Sequence, residues 1–135
     1  VNATAAAREA LAAAERLGTE ELVFITAGAA VEETRLTIED HLAVRAIMAA
    51  CEKLGAPMVC GNDRARVCCA LCKEVSQEAL TRGFGESDNG SRLARIGLGA
   101  DVEFASRLDV FDVVPRVVAT AELADGGRGA MVAKG

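Results

Sequence analysis

The chain has few aromatic residues: its 135 residues include four Phe, no Trp and no Tyr. Sites that stack on nucleic-acid bases or sugar rings rely on aromatic faces, so the composition disfavours both kinds of site. Basic residues are not in excess either, because 15 Lys and Arg face 20 Asp and Glu. The resulting net charge of −5 argues against a nucleic-acid partner, since affinity for phosphate backbones comes mainly from clustered cations.

The chain also lacks a long hydrophobic run. No stretch approaches the roughly 20 apolar residues that span a bilayer, and no signal-peptide pattern precedes Asn2, so we expect no membrane partner. Five cysteines cannot all pair within one chain. Four of them cluster instead of joining distant segments: Cys60, Cys68, Cys69 and Cys72. This usage favours a reducing, cytoplasmic setting.

Small apolar residues are abundant. Hydrophobic residues make up 51% of the chain, and Ala, Val and Leu dominate them. This length and composition predict a single α/β domain over residues 1–135. Because many small hydrophobic faces are hard to cover within a chain of this size, we also expect a homo-oligomer.

Helical and strand-like patterns alternate through the first 83 residues. Apolar residues at helical spacing predict helices over Ala3–Leu17, from Thr37 to Leu54, and over Arg64–Arg82, each followed by a glycine. Thr37 and Asp40 resemble a capping box at the start of the second helix, and Asn2 or Thr4 could cap the first. Short apolar runs predict buried strands over Glu21–Ala27 and Pro57–Cys60.

The remainder reads mainly as turns and strands. Gly85–Ser91 is polar and predicts an exposed, mobile turn, whereas Ala94–Gly99 predicts a third core strand. Asp101–Arg107 is compatible with one or two helical turns. Three further strand-like runs follow, the last two joined by the glycine-rich turn 125–129: Val110–Val114, Arg116–Leu123 and Ala130–Ala133.

Alternating helices and strands are typical of right-handed βαβ units around a parallel sheet. The fold predicted from the sequence is therefore a three-layer α/β/α sandwich with a mostly parallel sheet and an antiparallel C-terminal edge or hairpin. In such sheets ligands bind beyond the carboxyl ends of the strands. The loops that leave the two predicted strands, 28–36 and 61–63, should then share one crevice.

Candidate site residues follow from that crevice. An anionic small molecule could bind backbone N–H groups and an arginine at the helix start that follows the second strand. The predicted ligand-binding residues are Thr26, Gly28, Gly61, Asn62, Asp63 and Arg64. The predicted catalytic residues are Cys60, a thiol at a strand end, His41, the single histidine, and Glu33, a potential general base.

Each candidate also has a purely structural interpretation. Asn62 or Asp63 could simply cap the following helix, which we favour over an anion site. His41 could be a solvated surface residue, and Glu33 a solvated loop acid. The sequence has no complete GxGxxG, no GxxxxGK[ST] and no GxSxG, so no phosphate loop or nucleophile elbow is indicated and the cofactor stays unspecified.

The cysteines support a second hypothesis. Cys69 and Cys72 form a CxxC motif, but it lies inside a predicted helix, where the dipole at a helix start would not activate the first thiol. Cys68 and Cys72 fall on the apolar stripe, where cysteine often acts as a small hydrophobe. Adjacent cysteines on a helix point about 100° apart, which disfavours a shared metal ion, so we expect no metal site.

Three functions are compatible with these patterns. The first, which we favour, is a small cytoplasmic enzyme or enzyme subunit that binds an anionic metabolite at the strand ends. The second is a thiol redox or sulfur-transfer protein that uses Cys60 or Cys69 and Cys72. The third is a non-catalytic oligomeric subunit or binding module.

Overall fold

The computed structural model describes residues 1–28, 37–71, 75–122 and 128–134. Within these ranges the chain forms six helices followed by one hairpin. The elements are α1 (Ala3–Leu17), α2 (Ile38–Lys53), α3 (Asp63–Leu71), α4 (Gln77–Glu86), α5 (Asp88–Arg95), α6 (Gly99–Ser106), β1 (Pro115–Glu122) and β2 (Arg128–Lys134). No helix in the described ranges is long and apolar enough to cross a membrane.

The predicted three-layer sandwich with a parallel sheet is wrong. The only ladder in the described ranges is antiparallel: β1 pairs with β2 from Pro115 opposite Lys134 to Glu122 opposite Arg128. A register shift lies between Val117 and Ala119. The C-terminal hairpin is therefore confirmed, and it stands beside a mostly helical body.

The two predicted parallel strands do not pair into a β-sheet in the structure. We call residues 21–28 the first segment and residues 56–61 the second segment. Their exposure alternates residue by residue, as in an extended chain. Val23, Ile25 and Val59 are 76%, 92% and 89% exposed. A sheet needs partners for the backbone N–H and C=O groups. Within the described ranges, no backbone-to-backbone hydrogen bond joins the two segments.

Helices α1 and α2 confirm the helices predicted for the first half of the chain. They pack against each other, and small alanines on both let the backbones approach closely. The core holds four alanines together with larger side chains from α2 and α4: Ala3, Ala7, Leu42, Ala46, Ala50, Cys51, Leu80 and Phe84. Leu22 of the first segment and Met58 of the second segment pack against this core from outside.

The predicted third helix, Arg64–Arg82, is wrong as one element because its ends belong to α3 and α4. Ser76 starts α4 anew, since its side-chain Oγ accepts a hydrogen bond from Ala79 N at 3.2 Å. Gly83 does not end a helix but lies inside α4. A Cβ atom at this position would clash with Leu42 Cδ1, so the glycine permits the close contact between α4 and α2.

The predicted turn Gly85–Ser91 and the predicted strand Ala94–Gly99 are also wrong. Ser87, 2% exposed, ends α4 and caps α5: its Oγ donates to Phe84 O at 2.9 Å and accepts from Gly90 N at 2.9 Å. Helix α5 then occupies the polar stretch, and α6 begins at Gly99. The helical turns predicted over Asp101–Arg107 are confirmed as part of α6, whereas Val110–Val114 forms no strand.

The start of α1 is capped by a residue distant in sequence. Asp109 Oδ1 accepts from Thr4 N at 2.8 Å, and its Oδ2 accepts from Thr4 Oγ1 at 2.7 Å. Asn2 occupies the cap position without a side-chain capping bond and instead donates Nδ2 to Val113 O at 3.0 Å. The segment after α6 is thereby attached to α1, a connection that local sequence patterns did not predict.

Two glycine substitutions test the described packing at the junction of α4 and α5, because they should change the free energy of unfolding in opposite directions. A Cβ at Gly90 would collide with the Phe84 carbonyl oxygen, so Gly90→Ala should lower the free energy of unfolding by roughly 1–3 kcal/mol. Gly85 lies within α4 and faces open space, so Gly85→Ala should raise it by about 0.5–1 kcal/mol. Urea unfolding measures both changes. Equal effects from the two substitutions would contradict the described junction.

Candidate functional site

A first polar group lies where the first segment reaches the start of α2. The Asp40 carboxylate is its centre: Oδ2 accepts from Gly28 N at 3.0 Å and from Thr37 Oγ1 at 2.7 Å. Gly28 adopts φ +69°, a backbone conformation that suits glycine. The predicted capping box is therefore only half right. Thr37 donates to Asp40 but makes no side-chain capping bond to the helix.

His41 belongs to the same group, and the structure buries it to 8% exposure. The interpretation of His41 as a solvated surface residue is therefore wrong. Its Nδ1 lies 2.8 Å from Thr37 O. A carbonyl oxygen can only accept, so Nδ1 carries a proton and donates it in this contact. Nε2 is then the ring atom that can exchange a proton with a ligand.

A second polar group lies at the start of α3. Asn62 Oδ1 accepts from Ala65 N at 3.0 Å, so the capping interpretation of this residue is confirmed. Arg66 pairs with Asp63 at 2.6 Å. Arg64 is exposed and makes no ion pair with the described residues. An uncompensated guanidinium therefore stands at the start of the helix.

The backbone at the start of α3 adds hydrogen-bond donors. The first N–H groups of a helix have no acceptor within it, and the helix dipole makes this end electropositive. The Asn62 side chain accepts a hydrogen bond from Ala65 N, and the Asn62 backbone carbonyl accepts one from Arg66 N at 3.1 Å. The N–H groups of Asp63 and Arg64 meet no acceptor among the described residues. Two N–H donors and one arginine are thus available to an anion.

Two thiols lie in contact beside this second group. Cys60, at the end of the second segment, and Cys69, on α3, are both half-buried, and their Sγ atoms are 3.0 Å apart. The hydrogen bond to Cys60, aided by burial, raises the pKa of Cys69 to about 11. Burial also raises the pKa values of Cys51 and Cys68, which are 0% and 4% exposed. Cys72 lies outside the described residues.

The structure relates the two polar groups through α2. The first segment ends at the start of α2, where Gly28 reaches Asp40. The second segment begins at the end of α2, where Ala56 N donates to Cys51 O at 3.0 Å. No hydrogen bond or ion pair between described residues joins the first group to the second. Thr26 is half-buried and Gly61 exposed, whereas Glu33 lies outside the described residues.

An open cleft of about 370 Å³ lies between α4 and α6. Its polar groups already bind one another. Gln77 Nε2 donates to Thr81 Oγ1 at 3.0 Å and to Ser106 O at 3.2 Å, and the Thr81 and Ser106 hydroxyls are 3.0 Å apart. Arg107 pairs with Glu103 at 3.1 Å. An anion here would have to compete with these partners, which makes the cleft a weaker candidate than the start of α3.

Several contacts of this region have no signature in the sequence. The sequence predicts Asp40 as a cap partner of Thr37, but not its bond to Gly28, which lies 12 positions away. The Thr81–Ser106 pair joins residues 25 positions apart. Spacing reveals contacts within one helix, and such long-range pairs depend on tertiary packing. Among the described residues, no group of three or more His, Cys, Asp or Glu side chains is placed to hold a metal ion.

An exposed arginine and free N–H donors are suited to a protein that acts on small anions. Comparison with known proteins defines the class further. The family model for 2-phosphosulpholactate phosphatase matches residues 1–120, so the chain belongs to this family. It is thus a member of an enzyme family whose substrate is an anionic phosphorylated metabolite.

A curated relative supports the same family. The chain is 33% identical over 118 residues to the probable 2-phosphosulfolactate phosphatase of Deinococcus radiodurans. The match covers 87% of this chain but 45% of the relative, so the chain spans less than half of that protein. No solved structure matches the chain.

The thiol pair leads to a pH-dependent prediction. The Cys69 thiol has a pKa of about 11 when folded and an ordinary value near 9.0 when unfolded. The unfolded chain therefore releases this proton first, and the stabilisation present below pH 9 should be lost as pH rises toward about 11. Urea unfolding across this range should show a shallower decline for Cys69→Ser. Equal declines in both proteins would contradict the raised pKa.

Proposed function

We propose that this chain forms the substrate-binding part of a phosphatase that acts on 2-phosphosulfolactate or a closely similar phosphorylated sulfonate. Membership of the family over residues 1–120 supports the substrate class. The similarity to the probable 2-phosphosulfolactate phosphatase of Deinococcus radiodurans supports the particular substrate. The reaction is hydrolysis of the phosphate ester, in which water supplies the oxygen that ends on inorganic phosphate and the alcohol is released.

We place the anion at the start of α3. The observation that carries this placement is the exposed Arg64, which has no acidic partner among the described residues and stands beside the outward N–H groups of the first turn. Such a substrate carries phosphate, sulfonate and carboxylate groups. A chain of net charge −5 repels it at long range, so binding requires local cations and oriented donors.

The remaining predicted residues have proposed roles of different kinds. Gly61 and Asn62 form the entrance to α3 and hold its first turn in place. Asp63 orients Arg66 through their ion pair and keeps that second guanidinium close to the anion. Thr26 and Gly28 remain predicted contacts from the first segment.

His41 is the proposed proton-transfer residue. Its fixed Nδ1 proton leaves Nε2 to accept or donate a proton during ester hydrolysis. This role requires a bound substrate to reach both Arg64 and His41. The roles predicted for Cys60 and Glu33 in catalysis stay predictions, as do the cytoplasmic setting and the homo-oligomer.

We expect that binding of the substrate and hydrolysis of its phosphate ester can be measured separately. Because the chain spans 45% of its Deinococcus relative, full activity is proposed to draw on groups beyond the matched region. The anion site proposed here uses only residues of this chain. Binding of 2-phosphosulfolactate is therefore the property that the isolated chain should show, whether or not it releases phosphate.

Isothermal titration with 2-phosphosulfolactate tests the placement. Arg64→Ala should weaken binding at least about tenfold, since it removes a charge-assisted contact of roughly 1.5–3 kcal/mol. Arg82→Ala removes an exposed arginine from α4 and is the matched control, with affinity expected to stay unchanged. Equal losses in the two variants would indicate non-specific charge attraction. An unchanged affinity in Arg64→Ala would refute the proposed site.

A comparison of ligands tests the substrate class independently. The sulfonate-free analogue 2-phospholactate should bind more weakly than 2-phosphosulfolactate, because it lacks one anionic group. If the chain binds neither compound but binds inorganic phosphate, the substrate assignment is wrong although the anion site is right.

A further inference from the structure

Cys60 and Cys69 are a pair of nucleophilic side chains in contact, and neither is needed for the proposed binding of the anion at the start of α3. Their sulfur atoms lie 3.0 Å apart, and nine positions separate the two residues in sequence. Both side chains are half-buried, and the residues that follow Cys60, Gly61 and Asn62, are exposed. A small reagent can therefore approach the pair along the loop that enters α3.

The other described cysteines do not share this arrangement. Cys51 is 0% exposed in the core, and Cys68 is 4% exposed on α3. No sulfur contact of either residue with another described cysteine is seen. Among the described cysteines, oxidation by a small reagent should therefore begin at Cys60 or Cys69.

We propose that Cys60 and Cys69 form a dithiol site that is oxidised to an intramolecular disulfide by small-molecule disulfides. A disulfide bond is about 2.05 Å long, so closing the pair brings the sulfur atoms together by only about 1 Å. The closed ring contains the short loop that leads into α3. Neither the phosphate chemistry nor the substrate placement is needed for this reaction.

The reaction proceeds in two exchange steps. The Cys60 thiolate attacks one sulfur of a small disulfide RSSR, forms a mixed disulfide and releases RS⁻, which takes up a proton. The Cys69 sulfur then loses its proton and attacks the Cys60 sulfur, and the second RS⁻ leaves. Two protein thiols are oxidised, one RSSR is reduced to two RSH, and no other oxidant is required.

The hydrogen bond between the thiols assigns the order of attack. The contact with Cys60 raises the pKa of Cys69 to about 11, so near neutral pH Cys69 retains its proton and donates toward the Cys60 sulfur. Cys69 is therefore assigned the resolving role, and Cys60 makes the first attack. The second step requires deprotonation of Cys69, so its rate should increase with pH.

The oxidised form would fix the loop between the second segment and α3. Residues 61–68, which include Arg64, lie inside the closed ring. The closed ring would remove conformational freedom from the unfolded chain, so the urea midpoint of the oxidised protein should rise. Oxidation is therefore expected to stabilise the chain rather than unfold it.

The test treats the reduced 135-residue chain with oxidised glutathione and follows it by intact mass and free-thiol titration. The wild-type chain has five thiols and should retain three, with a mass loss of two hydrogen atoms and no glutathione attached. Peptide mapping without reductant should find Cys60 joined to Cys69. Cys51→Ser and Cys72→Ser are matched controls that should form the same bond.

Variants of the pair complete the test. Cys69→Ser should stop at a stable glutathione adduct on Cys60, whereas Cys60→Ser should form neither that adduct nor an intramolecular bond. Should a serine variant fail to fold, Cys69→Ala and Cys60→Ala replace it. A bond that includes Cys68 or Cys72, a lasting glutathione adduct on wild-type Cys60, or five unreacted thiols would overturn the proposal.

Discussion

The close packing of α4 on α2 is the contact on which the described helical body depends. Gly83 allows it, because any Cβ there would occupy the space of Leu42. Leu80, about one turn before Gly83, and Phe84, the residue directly after it, then enter the core beside Leu42 and Ala46. In a chain with so few large side chains, small residues bring helices close enough for alanines to exclude water.

This contact also fixes the position of the first polar group. His41 is adjacent to Leu42, so the helix face that meets α4 determines how the start of α2 is oriented. Asp40 reaches back from there to Gly28, which links the first segment to the helix. At the other end of α2, Cys51 receives the backbone N–H of Ala56, from which the second segment runs toward α3. One helix therefore positions both stretches of chain that carry candidate site residues.

How much of this was predictable depends on the range of the interactions involved. The extents of α1 and α2 follow from apolar spacing, and the end of α1 also follows from the left-handed Gly18. The hairpin follows from two apolar runs on either side of a glycine-rich stretch of sequence. The sequence does not predict the break between α3 and α4, because nothing in it distinguishes Ser76 from a serine inside a helix. The structure shows that Ser76 Oγ caps the start of α4. The sequence predicts that Gly83 ends a helix and that Gly90 lies in a turn. In the structure, Gly83 allows the close contact between α4 and α2, and Gly90 packs against Phe84 at the junction of α4 and α5.

The parallel sheet was mispredicted for a different reason. Continuous apolar runs such as 21–27 have the composition of buried strands, but composition does not show whether a partner strand is present. In the described chain Ile25 and Val59 face outward, and the chain covers less than half of its Deinococcus relative. For the site, the cap at Asn62 was predictable from local chemistry. The burial of His41 and the pairing of Cys60 with Cys69 required the tertiary structure.

Amide chemical shifts offer the most direct view of where the substrate binds. In a nitrogen-15 spectrum of the chain, addition of 2-phosphosulfolactate should move the backbone N–H signals of Asp63 and Arg64 and the side-chain signal of Arg64, in proportion to site occupancy. Signals near Thr81 and Arg107, in the cleft between α4 and α6, should stay in place. If the cleft signals move while those at the start of α3 do not, the anion binds elsewhere and the central claim is wrong.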